Sequence, residues 1–217
     1  MGDFASICIL SFNRPSFLRD SLTSLHMSLD YPAEIILHDD GSTRENSKQI
    51  QDLLSGQWVS YGLFNYGQNL GIANAFAVSS SLARGKYIIK ADQDLVYKPG
   101  WLSKAVKIME RDPEVGCLSL FNYRHYDPDD TRFNILEDRG DHYMVDDFVS
   151  SIYLFRAVDL PKIQPIQADG NHSKLPKLAI TSEDLVTNQG FGPGPSTYVL
   201  EGGGVQGHAS SSLIFRA

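Results

Sequence analysis

The chain is poor in cysteine and has no long apolar run. Cys8 and Cys117 are the two cysteines among its 217 residues, and each lies in a short apolar stretch. Because no Cys-x-x-Cys pair is present, the sequence predicts buried, reduced thiols rather than a disulfide framework, which is typical of a reducing compartment. The apolar runs are too short to span a bilayer, and the N-terminus lacks a signal-peptide pattern. We therefore expect a cytoplasmic protein with no membrane span in this chain.

Basic residues are scarce relative to acidic ones. The chain has 19 lysines and arginines against 26 aspartates and glutamates, which gives a net charge of -7. This balance argues against a nucleic-acid partner, whose phosphates require a basic surface. It argues equally against binding an anionic membrane through charge. An acidic protein that binds a phosphorylated ligand needs a local cation, which a bound metal ion supplies.

Two common nucleotide-binding patterns are missing. The sequence contains no Walker loop, and no Gly-x-Gly-x-x-Gly follows the first apolar run. These absences leave ATPase and dinucleotide-binding functions poorly supported. The loop at residues 65–71 does carry two glycines and precedes a predicted helix, so its backbone N–H groups are candidates for facing an anion.

Buried-strand patterns and helical stripes alternate through the first half of the chain. This alternation predicts a parallel, doubly wound sheet with right-handed crossovers. The predicted strands are residues 6–10, 33–37, 58–64, 86–91 and 115–121, and the predicted helices are residues 15–29, 45–54, 72–82 and 99–110.

The second half of the chain has a different pattern. Residues 123–139 are charged and rich in turn formers, and residues 168–177 predict a mobile loop. We predict one or two strands in residues 144–155, a short helix at 183–188 and a strand near 198–200. The simplest division is one domain, 1–217, with a nucleotide-binding half at 1–121 and an acceptor-side half at 122–217.

Polar residues cluster where three of the predicted strands end, at residues 11–14, 39–43 and 92–94. Ligands of open α/β sheets bind outside the carboxyl ends of the strands, so we expect these clusters to converge. In extended chain Asp92 and Asp94 face the same way, with Gln93 opposite. Two carboxylates without a nearby thiolate suit Mg²⁺ or Mn²⁺, and the alternative is a solvated turn.

Five motifs in order resemble glycosyltransferase family 2. They are residues 7–14, 36–43, 69–75, 83–88 and 91–94, and in the second half the resemblance rests on Glu183-Asp184-Leu185 and His208. The resemblance implies the GT-A fold: an α/β domain with a Rossmann-like, mainly parallel sheet flanked by helices and an irregular acceptor-side half. It also implies transfer of a sugar from a nucleotide diphosphate, usually with inversion.

The same resemblance assigns residues to the donor nucleotide. Asp39 resembles the acid that holds the nucleobase, with a turn cap as its alternative role, and Asn74 stands where many members have an arginine near the diphosphate. Lys90 is placed to compensate for that missing charge or to pair with an aspartate. The remaining residues of the predicted donor-binding set are Ser11, Asn13, Arg14, Asn69, Asp92 and Gln93.

Metal and base assignments also follow from the resemblance. Asp94 resembles the direct ligand of Mn²⁺ or Mg²⁺, Asp92 lies near the ribose and metal-bound water, and His208 resembles the histidine that completes the coordination in some members. Asp184 resembles the base that takes the acceptor's proton. Its neighbour Glu183 and the pair Asp146 and Asp147 are rival bases, and ordinary helix N-terminal charges are the alternative reading of 183–184.

The sequence therefore predicts a metal-dependent, inverting hexosyl- or deoxyhexosyltransferase. Its expected partners are a nucleotide-sugar donor, taken as a UDP-sugar, and a glycan or other hydroxyl acceptor, with further domains possible in a longer polypeptide. One alternative is a sugar-nucleotidyltransferase, although residues 11–15 lack the glycine-rich, basic loop that such an enzyme needs. The other is a non-catalytic nucleotide- or glycan-binding domain, which the asparagine at position 74 keeps open.

Overall fold

A computed structural model describes residues 2–55, 59–122, 133–147, 151–163 and 177–189, together with the backbone of 197–199 and 205–207. The strands are β1 Gly2–Ser11, β2 Ala33–Asp39, β3 Tyr61–Phe64, β4 Gly85–Asp92, β5 Leu95–Tyr97, β6 Cys117–Ser119, β7 Ile135–Asp138, β8 His142–Val145, β9 Ile152–Arg156, β10 Leu178–Thr181, β11 Val186–Asn188, β12 Thr197–Val199 and β13 Val205–Gly207. The helices are α1 Pro15–Ser28, α2 Arg44–Leu54, α3 Ile72–Ser81, α4 Trp101–Arg111 and α5 Leu160–Ile163.

Nine of these strands form a central sheet in the order β3-β2-β1-β4-β9-β6-β10-β8-β7. The first four in that order are parallel to one another. Strands β8 and β9 run opposite to the other seven. The sheet is thus mainly parallel, as the sequence predicts, with two reversed strands in its second half.

The two faces of the sheet carry separate apolar clusters. Odd-numbered residues of β1, such as Ile7 and Ile9, pack with α1, α2 and α4, whereas Cys8 and Leu10 pack on the side of α3. This alternation follows from the two-residue period of a strand. It makes the central strands apolar on both faces, which is why the sequence reads there as continuous apolar runs.

Local signals place the helices of the first half correctly. Helix α1 begins at Pro15, where the missing N–H of proline costs no hydrogen bond. Helix α2 is capped by Thr43, whose side chain accepts a hydrogen bond from the Asn46 backbone N–H. Both boundaries lie within a residue or two of the prediction, so the strand–helix alternation is confirmed for the described part of the first half.

Several predictions about smaller elements are wrong. The predicted helix at 183–188 contains strand β11, which pairs antiparallel with β5, a strand that the sequence did not indicate. The predicted strand at 115–121 is shortened to β6, and the antiparallel strand β9 pairs between it and β4. Strand β7 lies in the stretch predicted to be turns. Of the predicted mobile loop at 168–177, all but Lys177 lies outside the described residues.

Within the described residues, no helix combines the length and the apolar composition needed to cross a membrane.

Candidate functional site

The carboxyl ends of β1, β2 and β4 lie side by side at one edge of the sheet. Ser11 is opposite Asp39 in the β1–β2 pairing, and Leu10 is opposite Asp92 in the β1–β4 pairing. A backbone hydrogen bond of 2.8 Å from the Asp40 N–H to the Ser11 carbonyl joins two of these ends. The structure therefore brings together the three polar clusters that the sequence placed at strand ends.

The loop between β1 and α1 has an unusual backbone. Asn13 and Arg14 have φ values of 46° and 88°, in the left-handed region that residues other than glycine rarely adopt. Asn13 is fixed by its neighbours: its N–H donates to the Ser42 hydroxyl at 2.7 Å, and its side-chain oxygen accepts from the Thr43 N–H at 2.9 Å. The strained conformation is thus imposed by hydrogen bonds to the turn after β2.

Asp39 is buried at the end of β2. Its Oδ1 accepts hydrogen bonds from the hydroxyl and the N–H of Ser42, so the carboxylate closes the turn. This is the turn-cap role that the sequence left open beside nucleobase binding. Gly41 in the same turn has φ 84°, and a Cβ there would lie 2.5 Å from the backbone of Gln68, so the turn requires glycine.

Asp40 connects the turn to the glycine-bearing loop. Its Oδ1 accepts from the Leu70 N–H at 2.8 Å and from the Asn65 side chain at 3.1 Å. Asn69 and Asn74 lie exposed on this loop and on α3, where Asn69 accepts from the Gly71 N–H. The Asn74 side chain donates to the Leu70 carbonyl at 2.8 Å. Asn74 thus helps to hold the start of α3 and brings no charge to the site.

Lys90 and Asp92 form an ion pair at the end of β4. The lysine side chain is 1% exposed, and its ammonium group donates to Asp92 Oδ1 while lying 6.0 Å from the centre of the Tyr153 ring. Of the two roles that the sequence allowed for Lys90, the structure shows pairing with an aspartate. The Asp92 side chain is 19% exposed, so this carboxylate keeps contact with solvent.

Gln93 follows the last residue of β4, in a turn rather than in extended strand, and it is almost fully buried. Its Oε1 accepts from the Ser11 hydroxyl at 2.7 Å and from the Phe12 N–H at 3.2 Å. Its Nε2 donates to the Phe12 carbonyl at 3.0 Å. The Gln93 amide therefore joins the β1 loop to the β4 loop, and the same bonds occupy the Ser11 hydroxyl.

Asp94 is an enclosed acid of the site, with a side chain that is 3% exposed. Arg14 Nη1 donates to its Oδ2 at 3.1 Å, and Asn188 Nδ2 donates to its Oδ1 at 3.2 Å. Burial raises the pKa of Asp94, and the negative charge of Asp92 raises it further, whereas Arg14 lowers it. A positive charge beside Asp94 therefore stabilises its ionised carboxylate against burial and against the repulsion from Asp92.

The donor chemistry at Asp92 and Asp94 fits a hard divalent cation, because both offer carboxylate oxygens. Among the described residues, no group of three or more His, Cys, Asp or Glu side chains is placed to hold a metal. A cation held by Asp92 and Asp94 would therefore need further ligands beyond these two carboxylates. The predicted third ligand, His208, lies outside the described residues.

Asn188 and Ser151 belong to the site although the sequence did not point to them. Asn188 Nδ2 donates to Ser151 Oγ at 3.1 Å as well as to Asp94, and both residues are buried. The Asp94 carbonyl accepts from the Gln189 N–H at 2.8 Å, which joins the end of β11 to the turn after β4. An asparagine in a short polar strand carries no local signal of this contact.

The predicted base Asp184 lies at the opposite end of β11 from Asn188. Its Oδ1 accepts from the Asn122 N–H at 2.8 Å, and the Lys98 ammonium donates to its carbonyl at 2.7 Å. The Asp184 carboxylate is therefore engaged by the backbone at Asn122 in this structure.

The rival bases are held by other partners. Glu183 forms an exposed ion pair of 2.6 Å with Lys104. Asp146 accepts two hydrogen bonds from Asn134, of 2.6 and 2.7 Å. Burial raises the pKa of Asp146, but these hydrogen bonds outweigh it and lower the pKa overall, which makes the carboxylate a weaker base. Asp147 also has interaction partners in the structure.

A cavity of about 810 Å³ opens beside the turn after β2. Phe12 and Tyr66 contribute aromatic rings to its wall, and Arg44 and Lys48 contribute cations. The other lining residues are Asn13, Gly41, Ser42, Thr43, Ser47, Gln51 and Gly67. Helix periodicity places Arg44 and Lys48 one turn apart on α2, but the sequence alone does not show that this face of α2 lines a cavity.

Comparison with known proteins identifies the relatives of this chain. The model of the family described as "Glycosyl transferase family 2" matches residues 6–160. "Glycosyltransferase GlyG" of Streptococcus pneumoniae is 28% identical over 134 residues, which cover 61% of this chain and 43% of that protein. An "Uncharacterized glycosyltransferase" of Haemophilus influenzae is 23% identical over 116 residues, covering 54% of this chain and 36% of that protein. The chain spans less than half the length of these curated relatives.

Solved structures share the fold. A mannosyltransferase from Pyrobaculum calidifontis, in complex with GDP-Man and Mn²⁺, superposes with a TM-score of 0.59 at 17% identity, over 78% of this chain and 50% of that one. GalNAc-T7, with UDP, GalNAc and Mn²⁺, gives a TM-score of 0.63 at 14% identity, over 85% of this chain and 43% of that one. These similarities show the GT-A fold. With a family match that covers most of its length, the chain belongs to glycosyl transferase family 2.

Proposed function

We propose that this chain transfers a sugar from a nucleoside diphosphate donor, taken as a UDP-sugar, to a hydroxyl group of a glycan or other acceptor. The observation that carries the proposal is the convergence of three strand ends at one sheet edge, where Ser11 pairs with Asp39 and Leu10 pairs with Asp92. This is the edge at which open α/β sheets bind ligands. Family membership and the GT-A fold support the same reaction class.

The donor's nucleoside is proposed to lie between the β1 loop and the turn after β2. Phe12 and Tyr66 offer rings against which a base can stack, and the rigid turn closed by Asp39 and Ser42 forms the adjoining wall. Similar structures bind different nucleotides, GDP-Man in one and UDP in another, so the fold does not fix the base. UDP is our choice on the family resemblance.

The donor's diphosphate is proposed to lie over Asp92 and Asp94. Mn²⁺ or Mg²⁺ bound there would supply positive charge to the leaving diphosphate. The protein's own contribution is to hold the two carboxylates in place: Asn188 fixes Asp94, and Lys90 fixes Asp92. His208 remains the proposed third protein ligand.

Asp184 is proposed to take the proton of the acceptor hydroxyl. A direct displacement at the anomeric carbon needs this base on the side opposite the diphosphate, and it inverts the configuration. Asp184 is our choice on the family resemblance, and it lies just before β11, whose last residue, Asn188, contacts Asp94. NMR of the product distinguishes inversion from retention, and retention would rule out this mechanism.

A binding domain without turnover is the second candidate. Both aspartates already have cationic partners within the chain, and the neutral Asn74 occupies the position where the resemblance leads us to expect an arginine. Such a domain would bind nucleotide sugar tightly without releasing a nucleoside diphosphate.

The test is release of nucleoside diphosphate from a panel of nucleotide sugars, with and without Mn²⁺. We expect release that depends on Mn²⁺ and falls by at least about 100-fold in Asp94→Asn, because the charge at the leaving group is lost. Asp20→Asn is a matched control, since Asp20 is exposed on α1. Binding without release would favour the binding domain, and pyrophosphate formed from a nucleoside triphosphate and a sugar phosphate would indicate a nucleotidyltransferase.

A further inference from the structure

Asp94, the acid proposed to bind the cation, already has a positive partner. Arg14 Nη1 lies 3.1 Å from Asp94 Oδ2, and the two side chains are 18% and 3% exposed. Such an enclosed ion pair is screened little by water or salt. The other carboxylate oxygen of Asp94 accepts from Asn188, so both oxygens are engaged.

The backbone directs Arg14 to this position. Arg14 precedes the first residue of α1 and has φ 88°, which is unfavourable for a residue with a Cβ. Hydrogen bonds hold the two residues before Arg14: Phe12 is bonded to Gln93, and Asn13 is bonded to Ser42. A strained conformation that its surroundings enforce in this way is typical of functional positions.

A guanidinium group and a divalent cation compete for the same carboxylate. A cation ligated by Asp94 Oδ2 would lie about 2 to 2.5 Å from that oxygen, within a few ångströms of Arg14 Nη1. At that separation, in a buried site, the repulsion between the two positive charges is strong. Arg14 has a second contact available, because its Cζ lies 5.6 Å from the centre of the Phe17 ring.

We propose that Arg14 is the resident counter-ion of Asp94 and must leave it before a divalent cation binds, so that Arg14 weakens metal uptake by the nucleotide-free protein. This inference rests on the proposed function, because it takes Asp94 as the metal ligand. It makes Arg14 a positioning residue that acts on the metal site through Asp94, in addition to its predicted place beside the donor.

The test measures binding of Mn²⁺ alone from the loss of the free-ion EPR signal. We expect Arg14→Gln to bind Mn²⁺ at least about tenfold more tightly than the unmodified chain. The reason is that the cation no longer has to displace the charged hydrogen bond between Arg14 and Asp94. Arg14→Gly should bind equally tightly and fold well, because glycine adopts a positive φ without strain. Arg19→Gln is the matched control, since it removes an exposed charge from the adjoining helix α1 and should leave Mn²⁺ binding unchanged.

Repeating the titration with UDP present separates two kinds of failure. If the unmodified chain binds Mn²⁺ in the presence of UDP and the Asp94→Asn variant does not, the metal site is established. Equal or weaker Mn²⁺ binding by both Arg14 variants without UDP would then overturn the role of Arg14 alone. If no protein binds Mn²⁺ under either condition, the metal-dependent function and this inference both fail.

Discussion

Replacing Gln93 by leucine is expected to destabilise the protein through the loss of three specific hydrogen bonds. In the structure, the Gln93 amide bonds to the Ser11 hydroxyl and to both the N–H and the carbonyl of Phe12, at 2.7 to 3.2 Å. Leucine has a similar volume but no polar side-chain atoms. The Ser11 hydroxyl and the Phe12 N–H and carbonyl would therefore lose their hydrogen-bond partner in a buried site. Each lost bond costs about 1 kcal/mol, which gives about 3 kcal/mol.

The added apolar surface of leucine offsets part of this loss. Burying its side chain in place of the amide contributes about 1 kcal/mol, so the net decrease in the free energy of unfolding is expected to be about 2 kcal/mol. For a chain of this length the melting temperature would then fall by about 4 to 8 °C. Urea denaturation gives the free energy, and calorimetry gives the melting temperature.

The matched control is Gln49→Leu, at an exposed position of α2. In the described part of the structure the Gln49 side chain makes no hydrogen bond. It should change the free energy of unfolding by less than about 0.5 kcal/mol. If Gln93→Leu were as stable as this control, the Gln93 amide would not hold the two loops together. A role for Gln93 in contacting the donor would then be the better explanation of its position.

Two further predictions concern the support of Asp94 by Asn188 and the stability of the fold in acid. Asn188→Ala should weaken Mn²⁺ binding in the presence of UDP by about tenfold, because Asp94 loses the donor that orients it, and EPR titration measures this. Burial raises the pKa of Glu34, but hydrogen bonds from Ser6 and Arg84 outweigh it and lower the pKa overall. A lowered pKa stabilises the fold above the unfolded value of about 4.3, and this contribution is lost as the pH falls through the folded pKa. The unmodified chain should therefore be more stable than Glu34→Gln at neutral pH, and urea titrations should show that advantage shrinking as the pH falls below the unfolded value and through the folded pKa; a constant difference would contradict the assignment.

The order of elements in the first half could be predicted because its signals are local. A continuous apolar run such as Ile7 to Leu10 indicates a strand buried on both faces, and Pro15 marks a helix start. The rule that ligands lie at the carboxyl edge then places Asp39 and Asp92 together, which the strand register confirms. These inferences need only the spacing of residues close together in the chain.

The second half was harder to predict, because short strands are stabilised by their neighbours in the sheet. Strand β9 pairs with both β4 and β6, and nothing within its own residues indicates which strands it will separate. Residues 183–188 have a composition compatible with a helix, but pairing of β11 with β5 makes them partly a strand. Tertiary pairing overrides such weak local preferences.

The sequence by itself determined which acids stand at the ends of strands, since that follows from local pattern. Only the tertiary structure decided their partners. Asn188 reaches Asp94 across 94 positions, and Arg14 reaches it across 80. Contacts between residues so far apart depend on how the whole chain buries its apolar faces, and local periodicity carries no record of them. The environment of Asp94, on which the proposed chemistry depends, is therefore a property of the fold.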